Sequence, residues 1–150
     1  MSAFTQAQLQ TFAEGWYKKL DVHAPVAEIT PLLAPEGLKM VFPEATLEGM
    51  DKFIAWYQGG DDLPGVINIF FDEVHEVKSV ELIGVEGEKT LVKVVVKWEA
   101  SVWTVPDAKS KRIVLDAYQT WEVIALPSGE PAVVTYIVDE LKYYPGSATL

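Results

Sequence analysis

Imidazole exchanges protons more readily near neutral pH than any other side chain, and the sequence holds two, His23 and His75. They are the first candidates for acid–base chemistry. His75 stands within Phe70-Phe71-Asp72-Glu73-Val74-His75-Glu76-Val77, a strand-like segment where its plain role is a hydrogen-bonded residue at a bulge. Asp72 orients the ring only if a bulge brings both side chains to one face. His23 falls in a turn between helical segments, where solvation is expected. The carboxylate pairs Asp61-Asp62 and Asp72-Glu73 read as solvated charge, not as ligands.

Other chemistries lack their residues. The sequence has no cysteine, no Gly-rich phosphate loop, no Gly-x-Ser-x-Gly elbow and no His-Glu-x-x-His motif. Two histidines without cysteine make a poor metal centre. No metal, nucleotide or other cofactor is expected.

The elements that must hold these residues come from 150 residues, one domain's worth, taken as residues 1–150. With 49% hydrophobic residues, including 5 Trp, 6 Tyr and 6 Phe, the chain has material for a sizeable core and is not intrinsically disordered. A net charge of −10 opposes phosphate backbones and anionic lipid, so neither nucleic acid nor a membrane surface is an expected partner. The N-terminus lacks a basic start followed by an apolar stretch, and the apolar runs are short and broken by Lys or Glu. A cytoplasmic location is the expectation.

Thr5 and Gln8 have capping-box spacing, and Leu9, Phe12, Ala13, Trp16, Tyr17 and Leu20 follow at helical period. A first helix is predicted there. Pro25 suits the first position of a short second helix reaching about Leu33. Leu38 to Phe42 reads as a short strand ended by Pro43, and Met50, Phe53, Ile54 and Tyr57 mark a third helix between Gly49 and Gly59-Gly60. From Val66 the period changes to two in four long segments, roughly 66 to 85, 90 to 104, 111 to 125 and 132 to 144, joined by short polar turns. This predicts an antiparallel meander. Strands so long must be bent or bulged, giving one sheet curled around helices, an α+β arrangement.

This order of elements resembles the nuclear transport factor 2-like superfamily, a cone-shaped fold that includes SnoaL-like polyketide cyclases, ketosteroid isomerase and scytalone dehydratase. The resemblance covers nearly the whole chain. It is carried by the helix Phe12-Ala13-Glu14-Gly15-Trp16-Tyr17-Lys18-Lys19-Leu20, the turn from Ile29 to Ala34, and Val41-Phe42-Pro43 leading through Leu47-Glu48-Gly49-Met50 into an aromatic helix. Trp121-Glu122-Val123 and Tyr136-Ile137-Val138-Asp139 fit the closing strands. The resemblance implies a pocket at the open end of the cone and a homodimer formed through the outer face of the sheet.

It also tests candidates residue by residue. Ketosteroid isomerase needs a Tyr on the first helix, a carboxylate base ending the first strand and a protonated acid on a late strand. Those positions fall on Trp16, Phe42 and Gln119, and all three differ. Phe42 cannot accept a proton, so that machinery is not retained. The same matching turns Trp98 inward with Val92, Val94, Val96 and Ala100. It turns Gln119 inward as the one polar member of the row Ile113, Leu115, Ala117, Gln119, Trp121 and Val123. Tyr136, Val138 and Glu140 are expected to face the interior, and Trp103 and Tyr118 the outside.

Two functions compete. In the first, a SnoaL-like pocket walled by Trp16, Phe42, Trp98, Trp121 and Tyr136 binds a small, largely apolar molecule, as an isomerase, cyclase or dehydratase. His75 is then the acid–base group, Gln119 and Trp16 donate to a substrate oxygen, and Tyr136 and Glu140 support them. In the second, the protein is a non-catalytic dimeric interaction module whose interior is filled by its own aromatics. Cavity volume separates the two, because an interior closed by Trp16, Trp98 and Trp121 leaves no room for a ligand.

Overall fold

Thr5 caps the first helix as its spacing from Gln8 predicts: its hydroxyl accepts from the Gln8 amide at 3.1 Å, and the Gln8 side chain accepts from the Thr5 amide at 2.8 Å. Helix α1 spans Gln6–Asp21 and buries Leu9, Phe12, Ala13, Trp16 and Tyr17 of the predicted stripe, with its last member, Leu20, partly buried. The computed structural model describes residues 4–60 and 62–150. Met1, Ser2, Ala3 and Asp61 lie outside the described residues, and with them the N-terminal reading and half of the Asp61-Asp62 pair.

Pro25 is the N-cap of α2 (Val26–Ile29), one position before the predicted one, and a 3₁₀ turn over Thr30–Leu32 completes the short helix. Strand β1 is Lys39–Val41. Thr46–Glu48, which precedes the third helix, forms a second short strand, β2, that period alone did not reveal in three residues. The Phe42 amide bonds the Ala45 carbonyl at 2.8 Å and closes this hairpin. Helix α3 (Met50–Gln58) runs between Gly49 and Gly59, both at φ 97°.

The segment from Val66 does not begin as a strand. Val66–Ile69 is a helical turn, α4, because the chain folds back on the end of α3. Gly65 is obligatory at that contact: a Cβ there would lie 2.5 Å from the backbone of Gln58 and Gly59. Four long strands follow, β3 (Phe70–Glu86), β4 (Lys89–Val102), β5 (Lys111–Ala125) and β6 (Pro131–Tyr143).

The sheet order is β2-β1-β6-β5-β4-β3. The four long strands form the predicted antiparallel meander, but β1 joins β6 in parallel, so the sheet is mixed. Register shifts interrupt β3 three times and the β5–β6 ladder twice. Each adds twist, and together they curl the sheet around α1. The inward rows are those predicted: Val92, Val94, Val96 and Ala100 on β4 are buried, as are Ile113, Leu115, Ala117, Gln119, Trp121 and Val123 on β5.

Glu140 is a correction. Gln119 pairs with Val138 and Tyr118 with Glu140, so Asp139 is an extra residue in β6. Beyond it the alternation changes phase: Leu141 faces inward and Glu140 outward beside Tyr118. Its side chain is 55% exposed and lies 3.5 Å from Lys142. Among the described residues no helix is long and apolar enough to cross a membrane.

Candidate active site

The wide end of the curled sheet stays open around a cavity of about 460 Å3. Its walls are mainly apolar, with the rings of Phe42, Trp56, Phe70 and Trp98 prominent. The polar groups are few: His75 and Glu73 on β3, Tyr17 on α1, Tyr57 on α3, Gln119 on β5, Tyr136 on β6, and Glu44 in the β1–β2 turn. Apolar walls with a small set of placed polar groups are the usual composition of a small-molecule site.

A bulge puts His75 there. Counting by two from Phe70, which lines the cavity, would send Asp72 and Val74 inward. Instead the register shifts between Phe71 and Val74, with Asp72 at φ 50°, and Glu73 and His75 become the inward pair. Asp72 does not orient the imidazole. Its carbonyl accepts from Arg112 at 2.7 Å, and the partner of His75 is Asp21, the last residue of α1. Asp21 Oδ1 lies 2.5 Å from His75 Nδ1, and Oδ2 accepts from the His75 backbone amide at 2.9 Å.

A carboxylate only accepts, so the proton of the neutral ring sits on Nδ1 and the lone pair on Nε2. Tyr17 stacks on the ring with centroids 4.6 Å apart, and Trp98, its cross-strand neighbour, lies near-parallel at 6.1 Å. The imidazole is thus clamped in orientation with its basic nitrogen uncommitted among the described residues. That is the arrangement a general base requires.

Deeper in the cavity a hydrogen-bond chain aims a donor. Trp121 Nε1 donates to Gln119 Oε1 at 3.1 Å, which fixes the amide so that Gln119 Nε2 donates to the Tyr17 hydroxyl at 2.8 Å. The Tyr17 and Tyr136 hydroxyls are 3.0 Å apart. The Tyr17 proton has two acceptors in reach, Gln119 Oε1 at 3.1 Å and the Tyr136 hydroxyl, and when it goes to Tyr136 the Tyr136 proton is free for a ligand oxygen. Burial holds both phenols neutral, Tyr17 well above its ordinary range and Tyr136 at about 12. They are donors, not bases. Tyr57 is also raised to about 12, by burial and then by the nearby Glu73 and Glu28, and its proton goes to the Ala24 carbonyl at 2.7 Å.

The predicted site residues separate into two sets. His75, Phe42, Trp98, Gln119 and Tyr136 line the cavity. Trp16 does not: it is buried in the core against Phe53 and Tyr136, and among the described residues its indole nitrogen has no hydrogen bond of normal geometry, although its N–H favours the ionised form of Tyr136. Trp121 lies behind the wall and reaches the site through Gln119. Glu140 is on the other face of the sheet.

His23 is only partly solvated and has a partner that the sequence did not reveal. Its ring is 26% exposed, and Nε2 lies 2.5 Å from Glu73 Oε2. Asp21, Tyr17 and Glu73 escaped the sequence reading. A signal existed for Asp21: it follows Tyr17 by four residues and so shares the buried face of the helix. Among the described residues no group of three or more His, Asp and Glu side chains is placed to hold a metal ion.

No family model matches the sequence, and no curated protein does. Solved structures do. A hexachlorocyclohexane dehydrochlorinase (LinA, type 2) superposes with a TM-score of 0.69 at 12% identity, covering 96% of this chain and 91% of that one. A nuclear transport factor 2-like superfamily protein from Salmonella enterica gives 0.61 at 13% identity, covering 97% and 95%. The S. rosetta CaMKII hub gives 0.61 at 10% identity, covering 96% and 100%. At such identities the likeness establishes the fold.

Proposed function

The chain has the nuclear transport factor 2-like fold, and from that premise and its open cavity we propose that it binds a small, largely apolar molecule and removes a proton from one of its carbon atoms. The observation that carries this is the Asp21–His75 pair in the wall of an apolar cavity. His75 Nε2 takes the proton, and the C–H electron pair passes either to a carbonyl oxygen held by Tyr136 or into a new double bond as a leaving group departs. The first course serves an isomerase or cyclase, the second a dehydratase or another lyase. Asp21 balances the imidazolium that forms.

That a fold-mate is a dehydrochlorinase agrees with proton removal from an apolar substrate. The rival reading, an interaction module with a closed interior, is disfavoured by the open cavity. Association of two copies through the outer sheet face is part of the proposal. Tyr118 lies there with Lys142 Nζ 4.9 Å from its ring centroid, and Trp103, just past β4, is 51% exposed.

Nitrobenzisoxazole tests the base without knowledge of the natural substrate. It is neutral and apolar, and loss of its ring C–H proton breaks the N–O bond to give a coloured cyanonitrophenolate. The protein is expected to accelerate this opening over buffer, and His75→Ala to lose on the order of 10²-fold of it at unchanged melting temperature. Equal rates in the two proteins would refute His75 as the base.

A further inference from the structure

The pairing of Asp21 with His75 is matched by a second between the same two segments, crossed in order: His23 with Glu73. Within each pair the nitrogen and oxygen are 2.5 Å apart, but the polarity of the two pairs is reversed. In the first the imidazole lines the cavity and the carboxylate stands behind it. In the second the carboxylate lines the cavity and the imidazole stands behind it, partly in solvent.

Glu73 is held at both oxygens. Oε1 accepts from Trp98 Nε1 at 3.0 Å and Oε2 meets His23 Nε2. A carboxylate has about four lone-pair sites, so these two bonds leave two, on a side chain that lines the cavity. His23 Nδ1 has no partner among the described residues, and the ring is 26% exposed. His23 holds this place at φ 50°, a conformation non-glycine residues seldom adopt.

We propose that Glu73 is a second acid–base group of the cavity, and that it changes protonation state at constant net charge because His23 exchanges a compensating proton with solvent. In one direction a ligand X–H bond breaks with its electron pair left on X, and the proton forms an O–H bond at Glu73 Oε1. The His23 imidazolium then releases its Nδ1 proton to solvent and keeps the Nε2 proton as a donor to Oε2. In the other direction Glu73 returns its proton to a departing or carbanionic atom and His23 reloads. The pair is neutral before and after, which removes the main penalty on ionisation changes at an apolar wall.

The groups that face Glu73 are His23 from the turn after α1, Tyr57 from α3 and Trp98 from β4, with His75 two residues on along its own strand. Trp98 carries no titrating proton, and Tyr57 stays neutral below about 12. Asp21 engages His75, Glu28 acts with Glu73 on Tyr57, and Arg112 from β5 caps the Asp72 carbonyl. His23 is therefore the proton-exchanging side chain placed to compensate Glu73.

This inference rests on the cavity being a ligand site but not on His75 being its base, so it is tested without His75. In a His75→Ala background, nitrobenzisoxazole opening is expected to stay above buffer and to fall about tenfold or more when Glu73→Gln is added. Adding His23→Gln instead is expected to move the acid limb of the remaining rate to higher pH, since removing a neighbouring cation raises a carboxyl pKa. A His75→Ala protein with no rate above buffer overturns the inference, as does a rate indifferent to Glu73→Gln or an acid limb unmoved by His23→Gln. The comparison of wild type with His75→Ala judges the first reading separately. A check free of folding effects uses wild-type protein: the Glu73 carboxyl ¹³C and His23 ring ¹⁵N resonances are expected to share titration steps, and independent steps overturn the coupling.

Discussion

Asp21 and His75 are joined twice, once from the carboxylate to the ring nitrogen and once from the same carboxylate to the backbone amide. The second bond fixes where the histidine sits and the first fixes which way its ring faces. One side chain at a helix end thus sets both the position and the tautomer of the candidate base.

Asp21→Asn keeps the shape and removes the charge that stabilises an imidazolium. The opening rate of nitrobenzisoxazole is expected to fall about 10–100-fold, by analogy with the loss of carboxylate partners behind metal-bound histidines. Steady-state rates for the purified variant check this, with circular dichroism showing an unchanged fold.

Tyr136→Phe deletes the donor at the end of the Trp121–Gln119–Tyr17 chain. A ligand with a carbonyl is expected to lose affinity by roughly 1 kcal/mol, about one hydrogen bond, while its hydrocarbon analogue keeps its own. Calorimetric titration with acetylnaphthalene and ethylnaphthalene as a matched pair reads the difference. Equal losses for both probes would remove Tyr136 from the polar contact.

Ala117 is a small inward residue of β5 on the cavity wall. Ala117→Leu is expected to fill ligand space with new apolar contact, abolishing binding of both naphthalene probes without lowering the melting temperature by more than a few degrees. A variant that still binds them would place the ligand elsewhere.

The phenols give a pH prediction. Tyr57 and Tyr136 have folded-state values near 12 against an unfolded value of 10.0. Because both values are raised, the stabilisation is complete below pH 10 and is lost as pH climbs toward 12, where the unfolded chain ionises and the folded one resists. The expected slope is about 1.4 kcal/mol per pH unit for each buried phenol. Urea unfolding from pH 9 to 12, followed alongside tyrosinate absorbance, measures it.

The proposed association through the outer face is checked by sedimentation. Tyr118→Glu sets a carboxylate at the centre of the face, beside Asp116 and opposite Glu140, and is expected to shift a dimer to monomer. An unshifted dimer would place the interface on another surface.

Much of this fold could be read from local period. The stripe from Leu9 to Leu20 and the rows through Val92 and Ile113 carry their own evidence, because a helix or a half-buried strand writes its burial at a fixed spacing. What could not be read were the places where the spacing breaks. Asp139 and Asp72 each add one residue, and past each the inward set changes parity, which turned Glu140 out and brought Glu73 in. The Asp21–His75 and His23–Glu73 pairs close loops of about fifty residues. No local pattern encodes such partners, although the helical face of Asp21 already pointed at the interior.

Strand β3 is the last strand of the sheet and, among the described residues, has no strand on its far side. A free edge of 17 residues is a template on which another chain can add itself. In this molecule α1 occupies that edge with side chains: Asp21 takes the His75 amide, and Gln6 takes the Val80 carbonyl and the Leu82 amide. The bulges that turn Glu73 and His75 into the cavity also bend the edge out of register for any incoming strand. The candidate base and the guard against aggregation are therefore one construction, and variants selected for altered chemistry at Asp21 will be filtered first by their solubility.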